Sequence, residues 1–197
     1  MTILEFPQRS PEWYAARRGV PTASDFNMIV TSTGAPSKQR QKYSYQLAGE
    51  RLGAVIEDGF QSAAMLAGIE KESEAKAYYE LYHSPIQEVS FCMADGYGAS
   101  PDAFVDEDGL LEIKCPIVST HVEYLLANRL PPDYVQQVQG QLLVTGRQWV
   151  DFLSYYPGLN PLLVRVKRDE AFIKALKAEL KSFCAELDEV VKRLQNQ

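Results

Sequence analysis

The residues with the greatest chemical potential lie between Ser100 and Pro116, in the run Ser-Pro-Asp102-Ala-Phe-Val-Asp-Glu-Asp-Gly-Leu-Leu-Glu112-Ile-Lys114-Cys-Pro. Side chains alternate across a strand, so Glu112 and Lys114 share one face while Ile113 and Cys115 point to the other. The acidic turn Asp106 to Gly109 can fold Ser100–Val105 back onto Leu110–Lys114 as a hairpin, which brings Asp102 beside them. Two carboxylates with nearby carbonyls are donors suited to hard Mg2+ or Mn2+ ions, which keep waters in place for reaction. Such an ion lowers the pKa of a bound water, orients it and offsets charge on a leaving oxygen, the requirements of phosphodiester hydrolysis. Ligation alone needs no lysine. Lys114 would position or help deprotonate the water and stabilise the negatively charged transition state.

An isolated Glu-x-Lys is most often a solvated charge pair on an exposed strand. Its context here favours chemistry: a Pro-Asp precedes the acidic turn, an apolar strand carries the pair, and helical patterns lie on both sides. Upstream, Ser10-Pro11-Glu12 opens a short helix that Gly19 closes, and a second starts at Thr22-Ala-Ser24-Asp25 and runs to about Val30. Thr31 to Lys38 reads as a loop, Gln39 to Leu52 as a helix, and Ser62 to Tyr82 as a longer helix whose middle Gly68 weakens. After Pro85 the texture changes, with Ile86 to Met93 expected as one strand ahead of the hairpin. Helices at Ser119–Asn128 and Tyr134–Thr145, strands at Trp149–Tyr156 and Leu162–Lys167, and a closing helix at Asp169–Leu194 complete an α/β (α+β) pattern. Phe172, Leu176, Leu180, Phe183, Leu187, Val190 and Leu194 give the closing helix an apolar stripe, expected to pack on the chain's own sheet.

The totals allow one globular domain over residues 1–197, since 46% of the residues are hydrophobic and no composition break divides them. A formal charge of −6 argues against a polycation that coats nucleic acid, but permits a DNA enzyme with a locally basic track. Candidate basic patches are Arg17-Arg18, Lys38 to Lys42 and Arg165 to Arg168. The three cysteines, Cys92, Cys115 and Cys184, are scattered and odd in number, which fits a reducing, cytoplasmic compartment. They also exclude an iron-sulfur nuclease, which needs four clustered thiolates. No secretory pattern or apolar segment of bilayer length is present, so no membrane association is expected.

Ser-Pro-Asp102, the Leu-Glu112-Ile-Lys114-Cys-Pro run and Gln137-Val-Gln139-Gly-Gln-Leu-Leu-Val-Thr145 resemble, in the same order, the central motifs of the YqaJ-type viral recombinase nucleases, the lambda-exonuclease family. Trp13 to Ser24 resembles its arginine-to-serine segment, and Gly68 to Ala75 its helix with a catalytic glutamate. The resemblance runs from Trp13 to about Asp169.

It implies a PD-(D/E)xK restriction-endonuclease-like core, a central mixed β-sheet flanked by helices. It implies two Mg2+ ions, with Mn2+ as a substitute, and 5′-to-3′ digestion of one strand of linear double-stranded DNA to 5′-mononucleotides, leaving a 3′ single strand for phage recombination. A homotrimer, a single-strand annealing protein as partner, and expression from a phage or prophage in a bacterial host belong to the same expectation. Asp102, Glu112 and Glu72 would hold metal with the Ile113 carbonyl as an extra ligand, Lys114 would act on the water, and Gln139 would sit against the site with Gln137 nearby. Amides two apart on a helix do not share a face, so only one should point inward. Glu70 and Glu74 leave the register of Glu72 open, and Glu72 could instead be a plain partner of Lys76 one turn on. Arg17 and Ser24, with Ser100 as a weaker candidate, would grip a 5′-phosphate, and Met65 would part the strands.

Departures from the lambda pattern at Arg18, Pro21 and the Thr31–Gln41 loop bear on DNA-end contacts rather than chemistry. The competing readings are a structure-selective or restriction-type endonuclease on the same core, a non-catalytic DNA-binding protein, and a purely structural α/β protein.

Overall fold

In a computed structural model of the chain, residues 1–54 and 63–196 are described, with the side chains of residues 63–70 excepted. The elements in order are β1 (Thr2–Leu4), α1 (Pro11–Arg17), a 3-10 helix (Ala23–Met28), α2 (Arg40–Arg51), α3 (Ala63–Tyr82), β2 (Ile86–Glu88), β3 (Phe91–Ala94), β4 (Tyr97–Ala99), β5 (Ala103–Val105) and β6 (Gly109–Lys114). There follow α4 (Val118–Ala127), a 3-10 turn (Pro132–Tyr134), α5 (Val135–Thr145), β7 (Trp149–Ser154), β8 (Leu162–Lys167) and α6 (Glu170–Gln195).

The central sheet has the order β2-β5-β6-β7-β8. Only β6 and β7 run parallel, joined by a crossover through α4 and α5. β6 is buried from Gly109 to Ile113, which explains its nearly unbroken apolar run. One face of the sheet, with Phe104, Leu110, Val150 and Phe152, packs in a core with α5, α2 and α6; the other, with Leu111, Ile113 and Leu153, meets Ala75 and Tyr79 of α3. The mixed sheet flanked by helices is therefore the expected architecture. The hairpin β5–β6 forms as its turn predicts, pairing Ala103 with Leu111.

Two expectations need correction. Ile86 to Met93 is not one strand: it breaks at Val89-Ser90, and β2 joins the central sheet while β3 joins a separate β1-β3-β4 sheet. The Gln8 amide donates to the Val89 carbonyl and supports the corner, a long-range contact that local alternation does not register. From Phe172 to Leu187 the stripe of α6 is buried, with Val190 half-buried and Leu194 exposed, but it packs against α2 and α5, because α5 already covers that face of the sheet. Tyr43 of α2 stacks on Phe183 of α6 at 5.7 Å between ring centroids.

Gly140 lets α5 approach the Ala23–Met28 turn. A Cβ there would stand 2.5 Å from the buried Phe26 ring. This close approach brings the N-terminal segment up to the face of α5 that reaches β6. All three cysteines are free thiols. Among the described residues, no helix is long and apolar enough to cross a membrane.

Candidate active site

Asp102, Glu112 and Lys114 meet in a cleft of about 160 Å3 that Gln8, Arg9, Trp13, Arg17, Ser24, Ser100, Gln137 and Gln141 also line. Asp102 stands just before β5, anchored by its N–H on the Leu111 carbonyl, and its carboxylate accepts from the Ile113 N–H. Glu112 is 2% exposed, and Lys114 Nζ lies 2.6 Å from its carboxylate. Burial, together with the charges of Glu112 and Glu72, pushes the Asp102 carboxyl up to about 8, while Lys114 and the Ile113 N–H pull the other way. Asp102 keeps a partly exposed edge on the cleft, and water there moderates the push. Burial alone would lower the Lys114 pKa, but Glu112 and Asp102 outweigh it and hold the ammonium above the usual lysine value. In this arrangement Lys114 is a charged donor.

The α5 amides correct one expectation. Gln139 does not face the site: it donates to the Lys167 carbonyl and accepts from the Asp169 N–H, tying α5 to the start of α6. Gln137 and Gln141 face it instead, each donating to one oxygen of Glu112 at 2.6 Å. One amide of the Gln137 and Gln139 pair does point inward, and its companion is the residue one turn further on. The i, i+4 spacing of Gln137 and Gln141 was the signal that could have found Gln141.

On α3, Glu72 lines a groove beside the cleft, which it shares with Asp102. Its carboxylate is paired with Arg9 and lies 3.5 Å from Lys76, so the plain i+4 pair exists beside the site contact. Glu74 points elsewhere, accepting from the Tyr155 hydroxyl at 2.6 Å. The side chains of Glu70 and Met65 lie outside the described residues, and with them the wedge expected at Met65.

Arg17 ends α1, which Ser10 caps by accepting from the Trp13 N–H. Its guanidinium donates to Ser100 at 3.2 Å, Thr22 at 3.2 Å and Ser24 at 3.3 Å, and stacks 4.2 Å from the centre of the Trp13 ring. Trp13 also donates its indole N–H to Ser100. Burial lowers the Arg17 pKa and Asp25 supports it, yet among the described residues no carboxylate hydrogen-bonds to it. Arg17, Ser24 and Ser100 are thus brought together as expected, with Thr22 and Trp13 added. In the other expected basic patches the arginines are committed within the fold. Arg40 is paired with Glu179 and Glu186, Arg165 with Asp151, and Arg168 with Glu170.

Among the described residues, no three acidic, histidine or cysteine side chains stand at preformed cation-ligand spacing. The reason is visible in their partners: Lys114 and two amides draw on Glu112, while Arg9 and Lys76 draw on Glu72. The donor chemistry still fits a hard divalent cation, because carboxylates from separate elements converge here and the charges of Glu112 and Glu72 help to raise the Asp102 carboxyl. The Ile113 carbonyl fits too. In a strand a residue's N–H and C=O point to the same side, the Ile113 N–H points at Asp102, and the β5 pairing has already ended at Leu111.

A hairpin that sets Asp102 against Glu112-Ile-Lys114, on a mixed sheet flanked by helices, defines the PD-(D/E)xK nuclease class. The chain belongs to the YqaJ-like viral recombinase family, whose domain model matches residues 12–148. It is similar to the alkaline exonuclease LHK-Exo from Laribacter hongkongensis, with 36% identity over 95% of this chain and 97% of that one, at a TM-score of 0.86. The structure of LHK-Exo in complex with dAMP, also 36% identical over the same shares of both chains, matches at 0.85. A phage-related exonuclease from Haemophilus somnus 129PT shares the fold at 12% identity, covering 89% of this chain and 96% of that one, with a TM-score of 0.67. No curated protein sequence matches. This kinship supports a nuclease role.

Proposed function

We propose that this protein is a Mg2+-dependent exonuclease that works from the 5′ end of linear double-stranded DNA, releasing 5′-mononucleotides and leaving a 3′ single strand. The observation that carries the directional part is Arg17, held by Ser24, Ser100 and Thr22 with no carboxylate hydrogen-bonded to it among the described residues, in the same cleft as Asp102, Glu112 and Lys114. A fixed guanidinium ringed by hydroxyls suits a terminal phosphate, which accepts several charge-assisted hydrogen bonds. The alkaline exonuclease relative was solved with dAMP, a 5′-nucleotide, which accords with this product.

Asp102, Glu112 and the Ile113 carbonyl would hold one cation, and Glu72 with Asp102 would serve a second. Bound Mg2+, or Mn2+ in its place, would supply an activated water and offset charge at the leaving oxygen. Gln137 and Gln141 fix the Glu112 carboxylate, so its orientation is set before any ion arrives. Lys114, kept protonated, presents its ammonium where negative charge grows on the phosphate and can give a proton to a leaving oxygen. Arg17 holds the end so that the first phosphodiester reaches these groups.

Assembly as a ring-shaped homotrimer and cooperation with a single-strand annealing protein are proposed with the family assignment. An exposed apolar stripe on α4, with Val118, Val122 and Leu126, supports self-association. Light scattering reads the subunit number.

The deciding experiment incubates linear duplex DNA bearing a 5′-phosphate or a 5′-hydroxyl with Mg2+ or EDTA, beside Asp102→Asn. Mg2+-dependent release of mononucleotides, faster from phosphorylated ends and lost in Asp102→Asn, is expected. Equal cutting of closed circles would overturn the exonuclease reading, and no Mg2+-dependent cutting at all would overturn the enzyme.

A further inference from the structure

The segment between β1 and α1 brings to the cleft a second cation, Arg9, that the reaction proposed above does not use. Arg9 has φ +66, a left-handed conformation that a residue with a Cβ enters only at a cost. Its neighbours hold it there. The Ser10 N–H donates to the Pro7 carbonyl, Ser10 caps α1, and the Gln8 amide donates to the Val89 and Pro101 carbonyls at 2.7 and 2.9 Å. From this anchored turn the guanidinium reaches the Glu72 carboxylate.

Arg9 also sits where two cavities join. Gln8, Arg9 and Asp102 line both the 160 Å3 catalytic cleft and a neighbouring groove of about 520 Å3 that includes Glu72, Lys76, Ser90 and Phe104. Glu72 is largely buried, with a side chain 14% exposed, whereas the Arg9 side chain is 42% exposed. A purely structural pair would not need Arg9, since Lys76 already stands one turn along α3 from Glu72. Lys76 is itself drawn to Glu88 at 2.8 Å, leaving Arg9 as the closer cation on a carboxylate that faces the acidic cluster.

We propose that Arg9 is an exchangeable counter-ion for that cluster. Without metal and DNA it occupies Glu72; when a divalent cation takes Glu72, the guanidinium moves to a phosphate oxygen of the bound strand at the junction of cleft and groove. Metal and DNA then assist each other, because a phosphate draws Arg9 away from the carboxylate that the cation needs. The inference rests on the metal-dependent nuclease reading.

The test measures Mn2+ binding by calorimetry without DNA, and binding of a 5′-phosphorylated duplex in Ca2+ across a range of salt. The proteins are wild type, Arg9→Gly, Arg9→Gln and Arg9→Lys, with folding checked by thermal melting. Arg9→Gly also removes the left-handed strain, so at least one charge-free variant is expected to fold. Arg9→Gly and Arg9→Gln are expected to bind Mn2+ several-fold more tightly without DNA. Both should bind the duplex roughly tenfold more weakly, with the slope of log affinity against log salt shallower by about one. Arg9→Lys should retain most of the wild-type slope. Unchanged or weaker Mn2+ binding in the folded variants, or an unchanged salt slope, would overturn the role of Arg9 alone. Absence of Mn2+ binding to wild type would overturn the metal-dependent reading and this inference with it.

Discussion

Two buried carboxylates on neighbouring strands, Glu112 of β6 and Asp151 of β7, put the same chemistry to different use on opposite faces of the sheet. Asp151, 1% exposed, is matched by one rigid set of donors: the Tyr79 hydroxyl at 2.6 Å and the Arg165 fork at 2.8 and 2.7 Å, with Arg165 stacked 3.6 Å from the centre of the Trp149 ring. One carboxylate meets one cation in planar, bidentate geometry. Glu112 is buried to the same degree, but its ammonium partner is shared with Asp102 nearby, and Glu72 adds a third negative group. Its donors are also the long side chains of Lys114, Gln137 and Gln141. A balanced network stabilises the fold, whereas carboxylates crowded at an open cleft, with Asp102 pushed up by its neighbours, are a demand for a ligand.

The sharpest way to break this contrast is substitution on both faces. Asp102→Asn, Glu112→Gln and Lys114→Met should each reduce Mg2+-dependent cleavage by roughly 10^3-fold or more while cooperative unfolding is retained. Arg165→Met leaves a buried Asp151 without its cation, and should cost roughly 2–4 kcal/mol in urea unfolding while the folded fraction still cleaves. An Arg165→Met protein that is stable but inactive would erase the distinction. Arg17→Ala tests the cleft's far wall. Loss of a charge-assisted grip should lower kcat/KM on 5′-phosphorylated ends by roughly 10- to 100-fold, with little effect on 5′-hydroxyl ends.

The crowding of carboxylates also has a pH signature. The Asp102 carboxyl is pushed up to about 8 in the fold, against about 4 for an ordinary carboxylate. The folded state therefore holds this proton more tightly than the unfolded chain does. The stability it contributes is complete below about pH 4 and is lost as pH rises toward about 8. Metal-free wild type should show a urea midpoint that falls between pH 5 and pH 8, and Asp102→Asn, which cannot ionise there, a flatter one. A wild-type midpoint that rises over that window would contradict the raised Asp102 carboxyl. The smallest expected effect separates the α5 amides. Gln139→Ala should cost about 1–2 kcal/mol of stability with cleavage kept, through its contacts to Lys167 and Asp169. Gln137→Ala should lower cleavage with a smaller loss of stability.

Much of the fold was legible locally. The Asp106–Gly109 turn, the unbroken apolar run of β6 and the capping Ser10 each act through neighbours in the chain, so their signals survive in sequence. The broken strand at Val89-Ser90 and the partner of α6 were not legible, because both depend on elements far away in sequence. The site divides in the same way. Asp102, Glu112 and Lys114 lie on one hairpin, where alternation alone sets their faces.

What the sequence by itself determined was therefore the catalytic hairpin and the set of charged residues available to it. Only the tertiary structure decided which α5 amides hold Glu112, that Glu72 lies beside Asp102 while Glu74 turns to Tyr155, and that Arg9 reaches Glu72. Helical phase relative to a distant strand comes from packing, here the approach of Gly140 to Phe26 and of α3 to the far face of the sheet, and packing is a property of the whole chain.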